Sequence, residues 1–131
     1  MIEDLKHDLT EILDLDSEIF YDHLLQEGRN SWFLLPEEKT RENRITGCQS
    51  QVWLKVDTSH KDIFVFTLDS DSLMVKGVGT FVAGAFSHCT KEQINKIKFE
   101  DFKPLAAKLT YQRQRGLQSM INKIHEVTNA I

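Results

Sequence analysis

Cys48 stands in the stretch Arg44 to Trp53, RITGCQSQVW, behind a glycine and ahead of three polar residues. A thiol reacts as its thiolate, so reactivity requires exposure and a cationic or hydrogen-bonding setting. Gly47 permits backbone angles that other residues resist. Gln49, Ser50 and Gln51 offer hydrogen bonds without blocking approach, and Arg41 and Arg44 are near enough in sequence to lower the thiol pKa. A structural role is the plain alternative, and residue types alone leave both open.

Other chemistries find less support. Adjacent His88 and Cys89 rarely ligate one ion, no C-x-x-C motif exists, and two cysteines are few for an iron–sulfur cluster. No resident metal is expected. Cys89 borders an apolar helical stripe and reads as a small packing residue. A cysteine hydrolase needs a histidine base. The five histidines, at 7, 23, 60, 88 and 125, belong to no recognisable catalytic motif. Asp69 to Ser72, DSDS, reads as the start of a helix, capped by a hydroxyl or a carboxylate. It lacks the further oxygen ligands of a calcium loop. Arg113 falls in the first turn of the final helix, where a cation opposes the helix dipole. A residue placed against a local preference has a compensating job, either a salt bridge or the partnering of an anion or thiolate.

The elements that hold these residues follow from periodicity. Ile2, Leu5, Leu9, Ile12 and Leu13 recur at helical spacing. Asp16 or Ser17 can cap a second helix carrying Ile19, Phe20, His23 and Leu24, with Gly28 expected to end it. Residues 31–43, SWFLLPEEKTREN, break the period and cross irregularly. Val52, Leu54 and Val56 alternate with Trp53 and Lys55, and Ile63, Val65 and Thr67 alternate with Phe64, Phe66 and Leu68. An antiparallel hairpin is expected, with NRIT (Asn43 to Thr46) as a short third strand. A helix follows with the stripe Val78, Phe81, Val82, Ala85 and Phe86. Gly77 and Gly84 share one of its faces and are expected to pack closely on the sheet. Thr90 and Gln93 form a capping box. Thr110 caps a last helix with the stripe Leu117, Met120, Ile121, Ile124 and Val127. The class is α+β, a small three-stranded antiparallel sheet packed against helices.

The chain has 131 residues, which makes one domain, 1–131, and it shows no repeat or linker. Its net charge of −4 argues against nucleic acid as a partner, since phosphate binding needs a basic face. No apolar run suits a signal peptide or a membrane span. Few cysteines and no signal segment point to a cytoplasmic protein with free thiols.

Three segments together carry a family resemblance. NRITGCQSQVW (Asn43 to Trp53), DSDSLMVKGV (Asp69 to Val78) and LTYQRQRGLQSMI (Leu109 to Ile121) closely resemble the SufE family, including its CsdE-like branch, in the family's order and spacing. The resemblance implies a fold like that of SufE and the IscU-type scaffolds. It implies a sulfur acceptor and carrier rather than a classical enzyme. Such a protein takes persulfide sulfur from a pyridoxal-phosphate cysteine desulfurase (SufS/CsdA-like), stimulates it, and passes sulfur to an iron–sulfur scaffold (SufBCD-like). Carried over by motif, Cys48 is the acceptor, Asp71 the acidic residue near its loop and Arg113 the arginine of the third segment. No cofactor of its own is implied, because the pyridoxal phosphate belongs to the partner. The sequence departs from the family's proline-rich stretch with SWFLLP, and carries Ser72 and Arg115 where alanine and a polar residue such as asparagine are usual. The runner-up reading is a thiol-dependent hydrolase or transferase acting on a small substrate.

For the acceptor reading, Cys48 is expected to fold back into an apolar pocket and swing out on docking, with Trp53, Phe81 or Phe86 as lining. Asp71 is expected to cap the following helix and hold the loop closed. Arg113 is expected beside the loop as a cation.

Overall fold

The computed structural model describes residues 17–131. The first expected helix, on the stripe Ile2 to Leu13, lies outside the described residues, as does Asp16. Helix α1 (Ser17–Asn30) buries Phe20 and Leu24 completely. An irregular crossing with one 3-10 turn (Pro36–Glu38) leads to strands β1 (Val52–Asp57) and β2 (Val65–Ser70). Helices α2 (Leu73–Phe86), α3 (Lys91–Lys96), α4 (Lys103–Ala106) and α5 (Tyr111–Asn129), with a second 3-10 turn (Phe99–Phe102) before α4, complete the described chain.

β1 and β2 pair antiparallel, with Trp53 opposite Asp69 and Leu54 opposite Leu68. The expected third strand is not formed. Arg44 makes an isolated bridge to Trp53, with Ile45 N–H donating to Val52 O at 2.8 Å and Leu54 N–H to Asn43 O at 2.8 Å. A turn at residues 41–43 precedes this pair, and Gly47, at φ 92°, redirects the chain just after it. The ladder has no room to lengthen, so the sheet has two strands rather than three.

α2 lies over β2, where a Cβ on Gly79 would meet Leu68 Cβ at 3.1 Å. It also packs against α1. Leu24 and Gly28 meet Gly77 and Leu73, while His23 meets Phe81, so the two helices run antiparallel. Gly28 therefore does not end α1, which continues to Asn30. It is buried where a Cβ would strike the Leu73 carbonyl, and a Cβ on Gly77 would strike the Leu24 carbonyl. The pair lets two backbones touch. Gly77 packs on a helix instead of the sheet, and Gly84 faces open space.

The core is continuous. Val78, Val82, Ala85 and Phe86 of α2 meet Phe66 and Leu68 of the sheet and Leu117, Met120, Ile121 and Ile124 of α5. Each such large side chain contributes about 1.5–3 kcal/mol when fully buried. The caps predicted at Thr90 and Thr110 form. Thr90 and Gln93 exchange side chain-to-backbone bonds at 3.2 and 2.9 Å, and Thr110 Oγ1 accepts Arg113 N–H at 3.4 Å. Cys89 is wholly buried, as its apolar neighbours predicted.

Asp69 is buried in this apolar setting. Its carboxylate accepts the N–H groups of Leu34 and Ser70, each at 2.8 Å, and lies 3.5 Å from Lys76 Nζ and 3.7 Å from Lys39 Nζ. A buried charge survives only with such company. The arrangement ties the irregular crossing to the sheet, although Trp32 and Phe33 on that crossing remain exposed.

Candidate functional site

The Cys48 loop is fixed at both ends and touches α5 in the middle. At its far end Gln51 N–H donates to Asp71 Oδ1 at 3.0 Å, while Asp71 N–H donates to Gln51 O at 3.2 Å. Ser70 Oγ donates to the same Gln51 carbonyl at 2.8 Å. At its near end Gly47 adopts a left-handed conformation, φ 92°, that strains any side chain. A Cβ there would also meet Ser119 Oγ at 2.5 Å. Cys48 Sγ lies 3.8 Å from the Gly116 carbonyl, a weak S–H contact. A Cβ on Gly116 would sit 3.5 Å from that sulfur. The loop thus seats on a face of α5 made small by Gly116 and Ser119.

The sulfur is half-buried and opens on a cleft of about 490 Å³. Val75, Val78 and Met120 make its apolar side. Ser50, Ser72 and the first turn of α5, Thr110 to Arg113, make its polar side. Burial pushes the Cys48 thiol pKa up from its ordinary value. Arg41 and Arg44, expected to depress it, line a separate surface hollow with Lys123 and Glu126. In its resting seat the thiol is therefore harder to ionise than a solvated one.

Of the three residues singled out by motif, Cys48 and Arg113 line the same cleft. Asp71 does not. It is exposed and acts on the loop through Gln51. Nor is it the helix cap. Ser72 takes that place, its Oγ accepting Val75 N–H at 3.4 Å, because the Asp71 carboxylate is already engaged with the loop. The expected aromatic lining is also displaced. Trp53 lies under Lys39 Nζ at 5.0 Å, Phe81 packs near His23, and Phe86 stacks on Phe102 in the core. Their place in the cleft is taken by Val75, Val78 and Met120. Gly116, Ser119 and Tyr111 were not singled out from sequence. Their one signal was that all three fall in Leu109 to Ile121, the third segment of the family resemblance.

Among the described residues, no cluster of three or more His, Cys, Asp or Glu is placed to hold a metal ion. No described helix is long and apolar enough to cross a membrane. Neither cysteine is in a disulfide.

Known proteins agree with this architecture. A solution structure of a hypothetical protein from Thermus thermophilus superposes with a TM-score of 0.78 at 16% identity, over 96% of this chain and 93% of that one. It shares the fold. An uncharacterized SufE-like protein of Rhizobium etli is 35% identical over 117 residues, spanning 85% of this chain and 79% of the relative. The family model SufE, described as an Fe-S metabolism associated domain, matches residues 6–128. On the family model and this relative, the chain belongs to the SufE family and is associated with iron–sulfur metabolism.

Proposed function

We propose that this protein accepts sulfur on Cys48 from a pyridoxal-phosphate cysteine desulfurase, carries it as a persulfide and passes it to an iron–sulfur scaffold. One observation supports the reading above others: the thiol sits on a short glycine-hinged loop, seated by weak contacts against α5 and facing a cleft. A sulfur that must enter another protein's active site needs reach, and a segment held at its two ends supplies it.

The chemistry is thiol–disulfide-like exchange. The Cys48 thiolate attacks the outer sulfur of the donor's persulfide, a new Sγ–S bond forms, and the donor cysteine leaves as thiolate. In the resting loop the thiol is protonated and close to a carbonyl oxygen, so it is a poor nucleophile. Moving the loop out restores solvation and lowers the pKa. Docking thus couples reach to reactivity. Asp71 holds the resting position, and Arg113 offers a cation at the mouth for the departing thiolate or the docked surface. Stimulation of the desulfurase follows when removal of its persulfide limits turnover. No histidine among the described residues lines the cleft, so a Cys–His hydrolase would find no base there.

The test is incubation with a cysteine desulfurase and cysteine, followed by intact-mass measurement. One added sulfur per chain that is absent from Cys48→Ser supports the reading. An unchanged mass beside an active donor overturns it.

A further inference from the structure

The cleft is much larger than one extra sulfur requires. Its volume of about 490 Å³ has room for a small molecule, and its lining sets it apart from surface hollows of about 500 and 620 Å³ elsewhere. A protein-borne donor that drew the loop outward would leave it unused. Its charge is also one-sided. Aspartate and glutamate outnumber lysine and arginine by 20 to 16 in the chain, yet none of the residues lining the cleft is acidic. Arg113 does line it, and no carboxylate among the described residues pairs with that guanidinium. Next to it, Tyr111 and Gln112 occupy the first turn of α5, where backbone N–H groups lack intrahelical acceptors. The thiol, the cation, these donors and an apolar wall share one small space.

We propose that the cleft admits a small carboxylate-bearing persulfide, R–S–SH, and that Cys48 takes its outer sulfur without a protein donor. This rests on Cys48 being the acceptor and extends that site to a second class of substrate. The carboxylate lies toward Arg113 and the α5 N-terminus, and the two sulfurs lie along Val75, Val78 and Met120. The fraction of Cys48 present as thiolate, its proton released to solvent, attacks the outer sulfur; the Sγ–S bond forms and the donor's S–S bond breaks. RS⁻ leaves and takes up the proton that Cys48 released. The sum is Cys48–SH + R–S–SH → Cys48–S–SH + RSH, with no external oxidant or reductant. The cleft's cation acts twice, on the carboxylate during binding and on the thiolate as it departs.

The experiment compares two donors with the same sulfur chemistry: the persulfide of N-acetylcysteine and that of its methyl ester. Loading of Cys48 is followed by intact mass, in the native protein and in Arg113→Gln. Iodoacetamide, small and neutral, reports access to the sulfur in both. The carboxylate donor is expected to load the native protein roughly three- to tenfold faster than the ester, a screened surface charge effect that shrinks at high salt. In Arg113→Gln the preference disappears once each donor's rate is divided by the iodoacetamide rate of the same variant. Equal loading by the two donors in the native protein overturns the proposal, as does a preference that survives in Arg113→Gln or is indifferent to salt. A parallel arm with desulfurase and cysteine separates the two readings. Enzyme-dependent loading with no carboxylate preference removes only the small-donor site, whereas absence of enzyme-dependent loading removes the acceptor function itself.

Discussion

The two cysteines carry the same thiol in opposite surroundings. Cys89 closes the end of α2, fully buried, with Sγ 3.7 Å from Ala85 O and 3.6 Å from Ser87 O. Its backbone carbonyl accepts Phe64 N–H at 3.0 Å, which fixes it to the start of the sheet. Moving that sulfur means opening the core. Cys48 is half-buried, held through a 3.8 Å contact to Gly116 and a tether three residues away, and bordered by a cleft. Moving it means breaking a few polar contacts at the surface. The two sites therefore differ in the cost of presenting the sulfur, since both thiols are chemically alike when solvated.

Loss of the Cys48 thiol breaks the contrast most sharply. Cys48→Ser should abolish persulfuration by a desulfurase, while Cys89→Ser keeps it. The latter instead places a hydroxyl in the core and should cost about 1–3 kcal/mol, read as a lower denaturation midpoint. Retained sulfur loading in Cys48→Ser contradicts the assignment. Next in size is native-state alkylation followed by peptide mass mapping. Cys48 should react at least about 100-fold faster than Cys89, which must await local opening. Comparable rates would mean that the core around Cys89 is not the barrier it looks.

Gly47→Ala should disturb Cys48 alone. It forces a side chain into a left-handed conformation and against Ser119, at about 1–2 kcal/mol, so the loop unseats and Cys48 alkylation rises up to about tenfold. Asp71→Ala removes the carboxylate that accepts Gln51 N–H and should speed Cys48 alkylation by about two- to tenfold, the worth of one hydrogen bond. Unchanged rates in both variants would show that the loop is not held by these contacts.

The smallest effect is on pH dependence. Burial raises the folded-state pKa of Cys48 above that of the unfolded chain. Between the two values the unfolded state has lost a proton that the folded state keeps. Stability from this group is therefore complete below the unfolded thiol pKa and falls as pH rises through the folded one. Stability curves of the native protein and Cys48→Ser should converge with rising alkaline pH. Native-state alkylation should likewise show a midpoint above that of a free thiol, and a midpoint below it would contradict a seated, desolvated sulfur.

Local signals predicted local structure well. The Thr90–Gln93 capping box, the Thr110 cap and the α5 stripe need only neighbours within one helical turn, and all are present. The hairpin likewise followed from alternation. Errors arose where a residue's partner is remote. Gly28 resembles a helix terminator, but Gly77 and Leu73 make it a crossing point. Asp71 resembles a cap, but Gln51 claims its carboxylate. NRIT has strand-like residues, but the turns on either side leave one bridging pair. Trp53 and Phe86 are apolar enough to line a pocket, yet the sheet and core take them first.

Element types, caps, the family resemblance and the identity of the candidate thiol were all legible in the chain, because periodicity, capping and motif spacing are encoded by residues close to one another. Folding had to settle that the Cys48 sulfur rests half-buried beside Gly116, that Arg113 shares its cleft while Asp71 works from outside, and that no acidic side chain lines that cleft. Burial, and the side chains that face a given sulfur, are properties of segments far apart in sequence, and they come into being only when α2, the sheet and α5 close on one another.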